Sequence, residues 1–75
     1  MRVRLEVGTS LIMPSGERIK VTVLDLSRSG VRLQVPEPIF VGETLELELG
    51  RSGYAKVNIC WTRGDEIGCT FVDME

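Results

Sequence analysis

Apolar and polar residues alternate with a period of two along most of the chain. Val3, Leu5 and Val7 open the pattern, which runs through LIM to a PSGE turn at 14–17. Ile19, Val21 and Val23 alternate with Lys20 and Thr22. After DLSRSG at 25–30, Val31, Leu33 and Val35 alternate with Arg32 and Gln34. Successive side chains of an extended segment point to opposite faces, so each run predicts a strand with one buried and one solvated face. PEP at 36–38 ends the third run, because proline has no N–H to give to a sheet ladder. In TLELELG, Leu45, Leu47 and Leu49 face one way and Glu46 and Glu48 the other; GRSG, YAKVNICWT, RGDE and IGCTFVDM complete the series. Six short strands, glycine-bearing turns and no helical period predict one all-β domain over 1–75, a small antiparallel β-barrel or closed sandwich without substantial helix. Closure removes the edges that such strands would otherwise expose.

The last hairpin sets turn chemistry against the apolar pattern. A two-residue Gly64-Asp65 turn places Cys60 opposite Cys69 but turns Val57, Ile59 and Trp61 away from Ile67 and Phe71. A three-residue loop, Arg63 to Asp65, sets Trp61 opposite Ile67, Ile59 opposite Cys69 and Val57 opposite Phe71 on one apolar face. A one-residue slip flips every side chain, so the buried face decides, and it favours the second register. The cysteines then point to opposite faces: Cys69 belongs to the core, Cys60 is a free thiol, and Trp61 is expected in the core.

Length and composition narrow the function. A chain of 75 residues buries only about 60–65% of the surface its unfolded form exposes, which leaves a thin core and places any ligand site on the surface or between chains. A hydrophobic fraction of 43% and a charged fraction of 27% are those of a globular protein. No apolar stretch approaches the ~20 residues that span a bilayer, and MRVRLEV has no apolar h-region, so a cytoplasmic protein without membrane insertion is expected. The net charge of −2 is unevenly spread: residues 1–36 carry +3 and residues 37–75 carry −5. An anion is drawn to the first half, while the chain as a whole is too acidic for general DNA or RNA binding. The absence of histidine removes His-based triads and His metal ligation. Glu46 and Glu48 read as solvated charge on an outer strand face. With no nucleophile–base pair, no enzyme, metal site or cofactor is expected.

The chemistry concentrates in DLSRSG. The Asp25 carboxylate can accept hydrogen bonds, the Ser27 hydroxyl can donate and accept, and Gly30 permits a positive φ or a close backbone approach. The same residues also make an ordinary Asx- or Ser-stabilised turn. Arg2 and Arg4, two apart in an extended segment, project from one side roughly 7 Å apart. Paired guanidiniums suit phosphates or the O6/N7 edge of guanine, and a nearby carboxylate suits its N1–H and N2–H₂ edge. Arg28, inside the turn, reads first as solvated charge and otherwise adds to the phosphate field. Trp61 could offer a ring for guanine stacking, but the register above places it in the core.

In order and spacing the chain resembles the PilZ domain, the bacterial receptor module for cyclic di-GMP. That family carries RxxxR in an N-terminal segment and, about twenty residues on, [D/N]xSxxG between strands of a six-stranded β-barrel. Asp25, Ser27 and Gly30 match the second motif, and VGETLELEL and the terminal GxxF of Gly68 and Phe71 fit the layout. Arg2 takes the place of the second arginine of RxxxR, whose partner would lie before Met1; Arg4 is the available substitute. The family's C-terminal helix has no counterpart here. The resemblance implies that Arg2 faces phosphate or guanine, that Asp25, Ser27 and Gly30 line the nucleotide surface, and that binding signals to an effector protein or adjacent domain. The incomplete RxxxR also allows a PilZ-fold protein–protein adaptor that binds no nucleotide.

Overall fold

The structure, a computed structural model, describes residues 3–72. Six strands form: β1 (Val3–Ile12), β2 (Arg18–Leu26), β3 (Gly30–Gln34), β4 (Thr44–Glu48), β5 (Tyr54–Arg63) and β6 (Glu66–Phe71). They close into an antiparallel barrel in the order β1-β2-β3-β6-β5-β4, as the alternation predicts. The only helical turn among the described residues is a 3₁₀ turn at Gly50–Ser52. It ends the leucine alternation early: Leu45 and Leu47 are buried, but β4 stops at Glu48 and Leu49 is exposed. No helix among the described residues is long and apolar enough to cross a membrane.

Leu11, Val31, Leu33, Leu45, Leu47, Val57, Ile59 and Ile67 fill the interior, each almost wholly shielded from solvent. Inward positions thus come from every strand except β2 in this innermost set, and Ile19 and Val21 of β2 pack beside them. Beyond β3, Ile39 drops into the core as the anchor of the long loop to β4, leaving Phe40 and Val41 outside.

The barrel wall is uneven. β1 and β2 pair along most of their length, whereas β1 meets β4 at only two pairs, Leu11 with Leu47 and Ile12 with Glu46. One further bond, from the Thr9 hydroxyl to the Glu48 carbonyl at 2.7 Å, continues the seam. Above it the strands part, and Leu5, Val7, Leu26 and Leu49 border a hollow of about 480 Å³ that reaches toward the core. Val7 shares the inner side with its partner Val23 yet stays half exposed, because β4 does not extend far enough to cover it.

The β5–β6 hairpin satisfies both of its conflicting signals. Val57 faces Phe71 and Ile59 faces Cys69, as the apolar pattern requires. At the tip, however, Arg63 pairs with Glu66 around a two-residue Gly64-Asp65 turn, with Gly64 at φ 60. Glycine supplies that left-handed conformation without a Cβ clash, which is what a two-residue hairpin turn needs. A bulge at Cys60 absorbs the one-residue difference. Past the bulge Trp61 therefore sits opposite Gly68 rather than Ile67 and is 38% exposed, which corrects the expectation of a core tryptophan. Cys60 is exposed, Cys69 is buried, and both thiols are free.

Candidate functional site

A second bulge positions the acid of DLSRSG. By simple alternation Asp25 would follow Val21 and Val23 into the core. Leu24 is instead an extra residue relative to β3, so that Val23 faces Leu33 while Asp25 faces Arg32. Arg32 lies between the buried Val31 and Leu33, on the outer face, and Asp25 joins it there. The carboxylate stays covered, at 5% exposure, under the guanidinium: Arg32 Nη2 lies 2.8 Å from Asp25 Oδ2. A shielded carboxylate is tolerable only with such a charged, hydrogen-bonding partner. Arg32 Nη1 also reaches Glu66 Oε1 at 3.4 Å.

Cross-strand partners now line up across five strands. Arg4 of β1 is opposite Asp25 of β2, Asp25 is opposite Arg32 of β3, Arg32 is opposite Gly68 of β6, and Gly68 is opposite Trp61 of β5. With neighbouring strands ~4.8 Å apart, this outer row of cation, acid, cation, glycine and indole runs for roughly 19 Å. The Trp61 ring lies over Gly68, in the space a side chain there would need. Arg63 sits 5.8 Å from the ring centroid, at the outer reach of a cation–π contact. Asp25, Gly30, Arg32, Trp61, Gly68 and Thr70 line an open groove of about 600 Å³ along this row.

A slightly larger hollow, about 670 Å³, lies over Gly8, Ser10, Lys20, Thr22 and Gln34. Its acid, Asp65, accepts from Gln34 Nε2 at 2.9 Å, and Lys20 is its lone cation. Volume therefore does not single out the site; the assembly of complementary groups along the row does.

The remaining motif residues divide. Ser27 builds the turn: its N–H donates to the Gly30 carbonyl at 2.8 Å, and its hydroxyl accepts from the Gly30 N–H at 3.2 Å. Gly30 does not adopt a positive φ. Its requirement is the close approach: a Cβ there would lie 2.5 Å from the Cys69 carbonyl oxygen. Arg28 is exposed on the turn, and Arg4 is exposed beside Asp25. Arg2 lies outside the described residues. Arg32 joins the site without having been singled out for it from the sequence, and Trp61, weighed as a stacking ring but assigned to the core, joins it on the surface. Arg32 had a legible signal, since counting back from the Ser27–Gly30 turn pairs it with Asp25. Trp61 had none, because its facing depends on the Cys60 bulge.

Asp25, Ser27 and Gly30 thus stand at one strand junction of a closed six-stranded barrel, with Arg4 of the first strand alongside. The PilZ domain family matches residues 2–75, and the chain belongs to that family. Comparison with curated proteins gave no match.

Proposed function

We propose that this chain is a cyclic di-GMP receptor module that does no chemistry of its own and passes ligand binding to an effector protein or adjacent domain. The observation that carries the reading is the pairing of Arg4, Asp25 and Arg32 on one outer face. In this reading Arg4, with Arg2 on the same arm, holds phosphate or the O6/N7 edge of guanine through charge-assisted hydrogen bonds. Asp25 accepts from the N1–H and N2–H₂ edge, Ser27 and Gly30 keep the turn in the shape that presents it, and Arg28 adds positive field. Trp61 offers an apolar ring at the far end of the groove. Ligand binding changes the charge and shape that this face offers to a partner, which is a shift of population rather than a reaction.

Isothermal titration with cyclic di-GMP tests this. Micromolar binding is expected, lost or weakened at least about tenfold in Asp25→Asn and in Arg4→Ala, because each removes a charged hydrogen-bonding group worth roughly 1.5–3 kcal/mol. A chain that is folded by circular dichroism and gives no heat with millimolar ligand is an adaptor of the same fold, and the receptor reading falls.

A further inference from the structure

Arg32 is the least settled charge in the groove. It is held between two acids of unequal grip. Asp25 is covered and close, at 2.8 Å. Glu66 is at 3.4 Å, near the limit of a hydrogen bond, and this second pair is about one-third exposed on both sides. The Arg32 Nε is buried with no hydrogen-bond partner among the described residues. A guanidinium has five donors, and a buried one left unmade is a penalty that another acceptor would relieve. Glu66 lies on the outer face two residues from Gly68, with its carboxylate against the groove-lining Arg32. Arg32 and Arg4 flank Asp25 from its two neighbouring strands, roughly 10 Å apart.

We propose that Arg32 is an anion ligand of this groove and that Glu66 is an internal anion which a phosphate of the ligand displaces from it. The inference rests on the receptor reading and deepens it: Arg32 supplies the second guanidinium of the site from β3, and Glu66 sets the affinity. Phosphate is the better acceptor for a guanidinium, offering more oxygens in a matching geometry. The Asp25–Arg32 pair persists through the exchange and keeps the arginine aimed into the groove.

The sign of one substitution separates this from a purely structural role. If Glu66 merely helps to hold Arg32 in place, Glu66→Gln leaves cyclic di-GMP binding unchanged or weaker. If it competes with the ligand, Glu66→Gln tightens binding by about two- to fivefold, the worth of a half-exposed ion pair. Asp65→Asn is the control, since it removes the same charge one residue away from a group that engages Gln34 and not Arg32. Titration calorimetry of wild type, Glu66→Gln and Asp65→Asn is expected to show tightening in Glu66→Gln alone. Arg32→Ala is expected to weaken binding at least about tenfold. It also removes the guanidinium that covers Asp25, so the Glu66→Gln result decides. Unchanged or weaker binding in Glu66→Gln, or equal tightening in Asp65→Asn, overturns the inference and leaves the receptor reading standing. Absence of binding by wild type overturns both.

Discussion

Replacing Gly30 by alanine would put a methyl group 2.5 Å from the Cys69 carbonyl oxygen. Ordinary van der Waals contact for a Cβ begins at 3.4 Å, so one partner must retreat by about 0.9 Å. Neither partner is a loose side chain. Gly30 is fixed by its bonds to Ser27, and Cys69 lies in β6 between Ile67 and Phe71, paired on one side with Val31 and on the other with Ile59. Forcing a backbone shift of that size into a packed wall costs about 1–3 kcal/mol. Removing a glycine from the unfolded ensemble returns about 0.4–1 kcal/mol. The net expectation is a loss centred on about 1.3 kcal/mol and no larger than about 2.6 kcal/mol, or about 5–10 °C in Tm at the centre for a domain of this size. Urea melts and calorimetry would read it. Gly8→Ala is the internal reference: nothing lies within 4 Å of a Cβ there, so it should be neutral or slightly stabilising. If Gly30→Ala is as stable as Gly8→Ala, the close approach of the turn to β6 is not what glycine serves at that position.

Gly68→Ala probes the opposite case, because the atoms in the way belong to the Trp61 ring, which can swing outward. Stability should fall by no more than about 1 kcal/mol, the scale of a cross-strand pair, while acrylamide quenching of the single tryptophan increases; a large destabilisation with unchanged emission would show that the ring does not cover Gly68. The two thiols should separate in native labelling at pH 8: Cys60 reacts and Cys69 does not until the chain is denatured. Burial pushes the Cys69 thiol up to about 12, with the neighbouring Cys60 adding to the rise, so it stays protonated in the fold. Because the unfolded thiol ionises near 9 and the folded one near 12, stability should fall as pH rises from about 9 toward about 12. Fast modification of both cysteines in the native protein would contradict their placement.

The barrel was legible because its inner face is written in uninterrupted alternation, from Ile19 and Val21 through Leu45 and Leu47 to Val57 and Ile59. What alternation cannot show is where a strand gains a residue. At Cys60, turn chemistry and apolar pattern ask for registers one residue apart, and both are met only by a bulge, which carries Trp61 to the surface. At Leu24 the same device takes Asp25 out of the core face to which its parity assigned it. Two positions of the candidate site thus depend on departures from period two, and neither departure leaves a compositional mark. Of the two reasons a glycine could serve at Gly30, a positive φ or a close approach, only the close approach applies.

The seam between β1 and β4 gives the barrel a place to come apart. Two residue pairs and one hydroxyl bond join those strands, against eight pairs between β1 and β2. Under thermal agitation this joint yields first, and the leading half of β1 hinges on β2 as a flap while the other walls hold. Arg4 rides on that flap, so the cation that faces Asp25 from β1 is mounted on the most easily lifted panel of the cylinder.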